Sequence, residues 1–215
     1  MLTEGTGDAV HGVALVERVL EVVRRDPGAS ALSYADVPWV TDGVARPLPA
    51  HASAEVVLPS GRPLSPSLRA WLAYDTSLLD RYDWMADDGS LTPRSLDELV
   101  ADELGEMWGE MFTPVADRFP ECFLLPGGSD SRRILAVTEP DREGEYPVLA
   151  VDVDDLPFVG LMYPGFDVYL GNTAGLIEHE YESYTGLMDD PRYFRRMHHH
   201  ATHCFGGASH FEFPF

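Results

Sequence analysis

The chain has 215 residues and a formal net charge of −21 at pH 7, and all of its 15 basic residues are arginine. This excess of carboxylates repels phosphate backbones, so the composition argues against nucleic acid as a partner. No apolar run is long enough for a membrane span, and the first ten residues lack the basic and apolar regions of a signal peptide, so no membrane partner is expected.

Cysteine usage indicates a reducing compartment. The two cysteines, Cys122 and Cys204, lie far apart in the sequence and form no disulfide framework. Together with the absence of a leader pattern, this predicts a cytoplasmic protein.

The first part of the chain predicts helices separated by irregular connections. Apolar residues recur at helical spacing from about Asp8 to Arg25, and Asp26-Pro27-Gly28 ends that helix. A short strand is predicted over residues 54–58. Ser65 then caps a helix that begins at Pro66, since serine at the cap and proline at the first helical position are both favoured.

A longer amphipathic helix is predicted from about Ser95 to Met111. One side is apolar, and the other carries only acids, with no basic residue between Arg94 and Arg118: Asp97, Glu98, Asp102, Glu103, Glu106 and Glu110. Like charges four residues apart destabilise a helix only slightly. This acidic face is therefore a candidate surface for a basic protein partner, second to a later segment.

After this helix the apolar pattern changes to that of strands. Strands are predicted over residues 122–125, 133–137 and 148–153, and residues 166–170 fit either a strand or the start of a helix. Residues 194–200 predict the end of a last helix. This order of helices, a mainly antiparallel sheet and a closing helix indicates an α+β fold.

The domain organisation follows from the absence of repeats and linkers. We predict a single domain over residues 1–215, with a helical N-terminal elaboration to about residue 63 and an irregular tail from about residue 204.

Two blocks resemble the SUKH superfamily, the Smi1/Knr4-like group. They are LPSGRPLSPSLRAWLAYDTSLL, with its Pro-led helix, and GEYPVLAVDVDDLPFVGLMYPGFDVYLGNTAGLI, with an apolar strand that ends in aspartates. The chain departs from the family pattern where Tyr74-Asp75-Thr76-Ser77 replaces an Asn-Gly turn. The resemblance implies a SUKH-like fold and a binding module of the bacterial immunity-protein type, which neutralises secreted or contact-delivered toxins, often nucleases.

The charge is consistent with that implication. Because a nuclease must attract phosphates, its cleft is basic, and an inhibitor that presents carboxylates can associate with it rapidly. The predicted contact residues combine such carboxylates with aromatic anchors: Asp152, Asp154, Asp155, Tyr163, Phe166, Asp167, Glu180 and Glu182. The predicted partner is thus a basic toxin domain, and no catalysis is expected. A regulatory scaffold that binds without neutralising is a further alternative.

The histidine-rich segment MHHHATHCFGGASH offers a different class of function. On a helix, His199 and His203 lie four residues apart on one face, as do His200 and Cys204, and this spacing can bind zinc. Further ligands could come from Glu178, His179, Glu180 and Glu182, which would make the chain a metal-dependent hydrolase using the cluster His198–His203. No CxxC or HExxH motif accompanies the segment. We therefore expect neither a metal nor another cofactor.

Overall fold

The computed structural model describes residues 11–26, 40, 43–49, 51–52, 56–86, 90–127, 131–154, 156–178 and 183–215. Within these residues, helices flank a five-stranded antiparallel sheet whose strand order is β1-β2-β3-β4-β5. Each strand therefore pairs with its neighbour in sequence. The predicted α+β class with a mainly antiparallel sheet is confirmed.

The described helices and strands have the following bounds. The helices are α1 Gly12–Val23, α2 Pro66–Leu72, α3 Ser77–Arg81, α4 Leu96–Leu104, α5 Glu106–Ala116, α6 Phe166–Thr173 and α7 Phe194–Phe205, with a 3-10 helix at Gly186–Asp189. The strands are β1 Cys122–Leu125, β2 Ser131–Ala136, β3 Val148–Asp152, β4 Phe158–Tyr163 and β5 His210–Phe211.

Helix α2 begins as its sequence predicts. The side chain of Ser65 accepts a hydrogen bond from the backbone N–H of Leu68, and Pro66 occupies the first helical position. In contrast, the predicted single helix from Ser95 to Met111 is wrong. Gly105, with φ 110°, separates α4 from α5, because only glycine enters this region without steric cost.

The sheet contains two strands that the sequence pattern did not assign. All of β4 except Phe158 is buried, so it shows no alternation of apolar and polar residues. Strand β5 lies in the segment predicted to be an irregular tail and pairs antiparallel with β4, Val159 opposite Phe211. Residues 166–170 form the start of α6, and the last helix continues to Phe205. Of the predicted strand over 54–58, residues 54 and 55 lie outside the described residues, and Val57 forms an isolated bridge with Pro63.

One cluster of buried apolar side chains extends through the described residues from Leu15 on α1 to Phe205 on α7. Helix α1 packs against α2 and α6, and its Leu15, Val16 and Val19 are fully buried. The N-terminal helix thus contributes to the same core as the sheet. Among the described residues, no helix is both long and apolar enough to cross a membrane.

Candidate functional site

The first candidate surface, predicted between Asp152 and Glu182, is largely interior where the structure describes it. Tyr163, Phe166 and Asp167 are each at most 2% exposed. The Tyr163 hydroxyl donates to Asn172 Oδ1 at 2.9 Å, and the Phe166 ring packs against Tyr169. The three side chains that were predicted to contact a partner are therefore buried in the fold and offer almost no exposed surface.

Two predicted acids of the same segment remain at the surface. Asp152 ends β3 half-buried, and its carboxylate accepts hydrogen bonds from the Tyr184 hydroxyl and from the backbone N–H of Asp154. Asp154 is exposed. Asp155, Glu180 and Glu182 lie outside the described residues. The structure thus leaves Asp154 as the exposed carboxylate of this candidate set within the part it describes.

Asp167 belongs to a buried ionic network with Arg196 at its centre. The guanidinium of Arg196 makes a bidentate ion pair with Asp167, at 2.7 and 3.0 Å, and its Nε donates to Asp141. Asp167 also accepts from the backbone N–H of Gly12 at 2.5 Å. Arg196, which is 3% exposed, thus joins α6, α7 and the turn after β2 inside the protein, and Asp167 extends the network to the start of α1. This network connects parts of the fold, and its buried side chains are not accessible to a partner.

Further titratable groups surround this ion pair. Glu145 accepts from the backbone N–H of Ser67 at 2.8 Å, and burial followed by the nearby charge of Asp167 raises the pKa of Glu145 to about 7. Burial opposes ionisation of Asp141, but the neighbouring His200 and Arg196 outweigh it and lower the pKa of Asp141 to about 2. At pH 7, Asp141 is therefore ionised, whereas Glu145 is near the midpoint of its titration.

Three histidines of the cluster make contacts within the protein through one ring nitrogen each. His199 Nε2 lies 2.9 Å from the carbonyl oxygen of Pro140, and His203 Nδ1 lies 2.7 Å from the carbonyl oxygen of His199. His200 is fully buried with Nε2 at 3.0 Å from the Pro164 carbonyl oxygen, and burial lowers its pKa. In the described part of the chain, no three His, Cys, Asp or Glu residues are grouped to hold a metal ion. His179, Glu180 and Glu182 lie outside that part.

The second candidate surface is exposed, and its two helices differ. On α4, Asp102 pairs with Arg94 at 3.0 Å, and Glu103 pairs with Arg132 at 3.2 Å. The exposed side of α5 carries Glu106 and Glu110, and Asp117, the C-terminal cap residue of the helix, continues the same helical spacing. We call these three residues the acidic helix face.

The acidic helix face differs from Asp102 and Glu103 of α4 because no arginine neutralises its charges. Its three carboxylates form no ion pair with any described residue. Met107 lies beside them with 60% of its surface exposed, and Trp108 and Met111 are half-buried next to it. The surface therefore combines unpaired negative charge with accessible apolar area, which are the two components of an interface for a basic protein.

Close packing holds this face in place. A Cβ added at Gly109 of α5 would lie 2.6 Å from Cβ of Ala101 and 2.8 Å from the carbonyl oxygen of Asp97, so α5 approaches α4 at a distance that only glycine permits. The sequence contained the acids, but it gave no indication that Asp102 and Glu103 of α4 are paired whereas the acids of α5 are not. The partner of Glu103 is Arg132, which belongs to β2 and lies 29 positions away in the sequence.

A cavity of about 450 Å³ is lined by four arginines: Arg142, Arg192, Arg195 and Arg196. Three of them already face carboxylates, since Arg142 pairs with Glu143, Arg192 with Asp190, and Arg196 with Asp141 and Asp167. These pairs cancel most of the positive charge, so the cavity is a weak candidate for an anion site.

Comparisons with known proteins bear on the fold alone. No protein-family model matches the chain, and no curated protein matches it. The chain is similar to a crystal structure of an uncharacterized protein from Salmonella enterica subsp. enterica serovar typhimurium str. 14028s, with a TM-score of 0.59 and 17% sequence identity over 92% of this chain and 94% of that one. At this identity, the similarity supports a shared overall fold and carries no functional assignment.

Proposed function

We propose that this chain is an acidic binding protein that neutralises a basic protein partner, as a bacterial immunity protein neutralises a toxin. The observation that carries the proposal is the acidic helix face, three exposed and unpaired carboxylates on one side of α5 beside the exposed Met107. The resemblance of two sequence blocks to the SUKH superfamily agrees with this role. The proposed setting is the cytoplasm, and the proposed activity is binding without catalysis.

Electrostatics support a basic partner. With a net charge of −21, the protein attracts cationic surfaces over a distance set by the ionic strength, which accelerates association and makes it salt-dependent. A nuclease toxin suits this description because its cleft must be positive to hold phosphate. In such a complex, the acidic helix face would lie in the positive potential of the cleft, where the phosphates of the nucleic acid otherwise bind.

Apolar contacts would supply the strength that charge alone does not. Rim charges chiefly change the rate of association, whereas affinity concentrates in a few well-buried apolar or aromatic anchors. Met107, with Trp108 and Met111 behind it, is the accessible apolar group on this side of α5. We therefore place the centre of the interface at Met107 and its charged rim at the acidic helix face.

The test is a pull-down from an extract of the native organism, in which three versions of the tagged protein serve as bait. One is the wild type, and one carries Glu106→Gln with Glu110→Gln. The matched control carries Glu17→Gln with Glu21→Gln, two exposed acids that are also four residues apart on a helix, in α1. All variants are then compared in low and high salt.

We expect the wild type and the α1 control to retain the same basic protein in low salt and to release it in high salt. The α5 variant should bind this protein about tenfold more weakly, since two interfacial charges are lost. Equal retention by all three versions would contradict the proposal. Co-expression separates neutralisation from scaffolding, because a neutralising partner suppresses the toxicity of the captured protein and a scaffold leaves it unchanged.

A further inference from the structure

A second cavity, of about 640 Å³, lies at the end of α5 next to the acidic helix face. Its walls are the turn at Pro59 and Ser60, the end of α5 at Asp117 and Arg118, and residues 137–139 after β2. Glu121 also lines it. Asp117 belongs both to the cavity and to the acidic helix face, so the two features form one continuous surface.

Glu121 is unusual among the carboxylates that the structure describes. It is 8% exposed, and its Oε1 accepts from the backbone N–H of Ser60 at 2.6 Å. Its Oε2 is buried and has no hydrogen-bond partner among the described residues. Since a buried polar atom without a partner costs free energy, a donor that reached this oxygen would stabilise it.

The charges around the cavity indicate which kind of donor fits. Of the two arginines in its walls, Arg62 pairs with Glu139 at 3.3 Å, and the guanidinium of Arg118 lies 5.6 Å from the centre of the Phe211 ring. Asp117 and Glu121 form no ion pair with described residues, and Arg118 keeps its positive charge beside the Phe211 ring. With three acids and two arginines in its walls, the cavity has a net charge of −1. A buried carboxylate is best satisfied by a charged donor, which forms shorter and stronger hydrogen bonds than a neutral one. One such carboxylate without further grouped ligands does not hold a metal ion.

We infer that this cavity binds a cationic side chain of the partner, an arginine or lysine that inserts beside Pro59 and Ser60 and donates to Oε2 of Glu121. The identity of the partner rests on the proposed function, whereas the cation site rests on Glu121 and the cavity. Insertion of one cation at the end of α5 would fix the position of the partner along the acidic helix face. The site thus supplies specificity to a surface whose charge alone attracts any basic protein.

The test uses a minimal probe, the capped tripeptide Gly-Arg-Gly, against its neutral isostere with citrulline in place of arginine. Binding is followed by NMR of the full-length protein labelled with ¹⁵N. The informative amides are Ser60, which donates to the Glu121 carboxylate, and Val137, which donates to the Glu121 carbonyl oxygen at 2.8 Å. We expect both amide signals to move in a saturable way with the arginine peptide and to stay in place with the citrulline peptide.

The variant Glu121→Gln keeps the size of the side chain and an oxygen for Ser60. It should weaken binding of the arginine peptide by about tenfold or more, the range for loss of a charge-assisted hydrogen bond. The control Glu17→Gln removes the same charge from exposed α1 and should leave the affinity unchanged. If Glu121→Gln fails to fold, Asp117→Asn at the exposed rim replaces it, with an expected weakening of about threefold.

Absence of shifts at Ser60 and Val137, equal shifts with both peptides, or undiminished binding by Glu121→Gln would overturn the cation site. These results are separable from the fate of the proposed function. A cavity that binds the arginine peptide in a protein that retains no basic partner supports the site and contradicts the proposed function. A basic partner retained equally by the wild type and by Glu121→Gln supports the proposed function and contradicts the site.

Discussion

The buried network around Arg196 and the acidic helix face on α5 use the same chemical group in opposite ways. In the network, Asp141 and Asp167 are almost completely buried, and one guanidinium, that of Arg196, pairs with both of them. On α5, Glu106, Glu110 and Asp117 are exposed and have no ion pair with described residues. A carboxylate inside the protein is satisfied by the fold, whereas an unpaired one at the surface remains available to a partner. The difference lies in the neighbours of each acid rather than in its residue type.

The largest expected effect comes from removing the central cation. Arg196→Met leaves two buried carboxylates without their partner, and breaking a buried ion pair in this way costs about 3–5 kcal/mol. The free energy of unfolding should fall by this amount in urea denaturation. The adjacent Arg195→Met is the matched control, because Arg195 is exposed, and it should change stability by less than about 0.5 kcal/mol. If both variants lost the same free energy of unfolding, the buried arginine would matter no more to stability than the exposed one, and the distinction would be contradicted.

A smaller effect is the change of folding stability with pH, and the raised pKa of Glu145 determines its direction. Because its folded pKa of about 7 lies above its usual value of 4.5, the folded state holds this proton more tightly than the unfolded state does. Its contribution to stability is therefore complete below pH 4.5 and is lost as pH rises to 7, by on the order of 3 kcal/mol.

Glu145→Gln, which imitates the protonated acid, should flatten this slope between pH 4.5 and 7 in denaturation curves. Below about pH 4 both proteins should lose stability as the pH falls, since Asp141, with a folded pKa of about 2, must then be protonated. A variant that keeps the wild-type slope would show that Glu145 is ionised throughout this range.

The smallest stability effect is expected at the surface. Glu106→Gln with Glu110→Gln removes repulsion between like charges four residues apart and should change the free energy of unfolding by less than about 0.5 kcal/mol, measured by thermal or urea denaturation. The same pair is expected to weaken partner binding about tenfold. A substantial loss of stability would show that these exposed acids stabilise the fold, and it would contradict the distinction between buried and surface carboxylates.

Parts of the fold could be predicted from local sequence because local chemistry dominates there. The strand over residues 122–125 is observed at those bounds, and the cap at Ser65 is confirmed by its hydrogen bond to Leu68. Strand β4 escaped prediction because a strand buried on both faces shows no alternation. The break at Gly105 was visible as a glycine, but an amphipathic pattern on both sides of it concealed the change of helix.

The candidate site was harder to predict because exposure is not a local property. Phe166 and Asp167 lie in a segment that combines aromatic residues with acids, which are the components of an interface. The structure instead pairs Asp167 with Arg196, 29 positions away, and with the backbone of Gly12, 155 positions away. No pattern within the segment contains those partners. Glu121 was missed for the same reason, since the partner of its other carboxylate oxygen, Ser60, lies 61 positions earlier in the chain.

The sequence by itself determined the class of fold, the acidic character of the protein and several element boundaries, because helix caps, strand runs and net charge arise from residues close together or from composition alone. Only the tertiary structure decided which carboxylates are buried against Arg196, which are neutralised on α4, and which remain unpaired on α5 and at Glu121. Charge pairing and burial depend on contacts between residues distant in sequence, and such contacts exist only once the chain has folded.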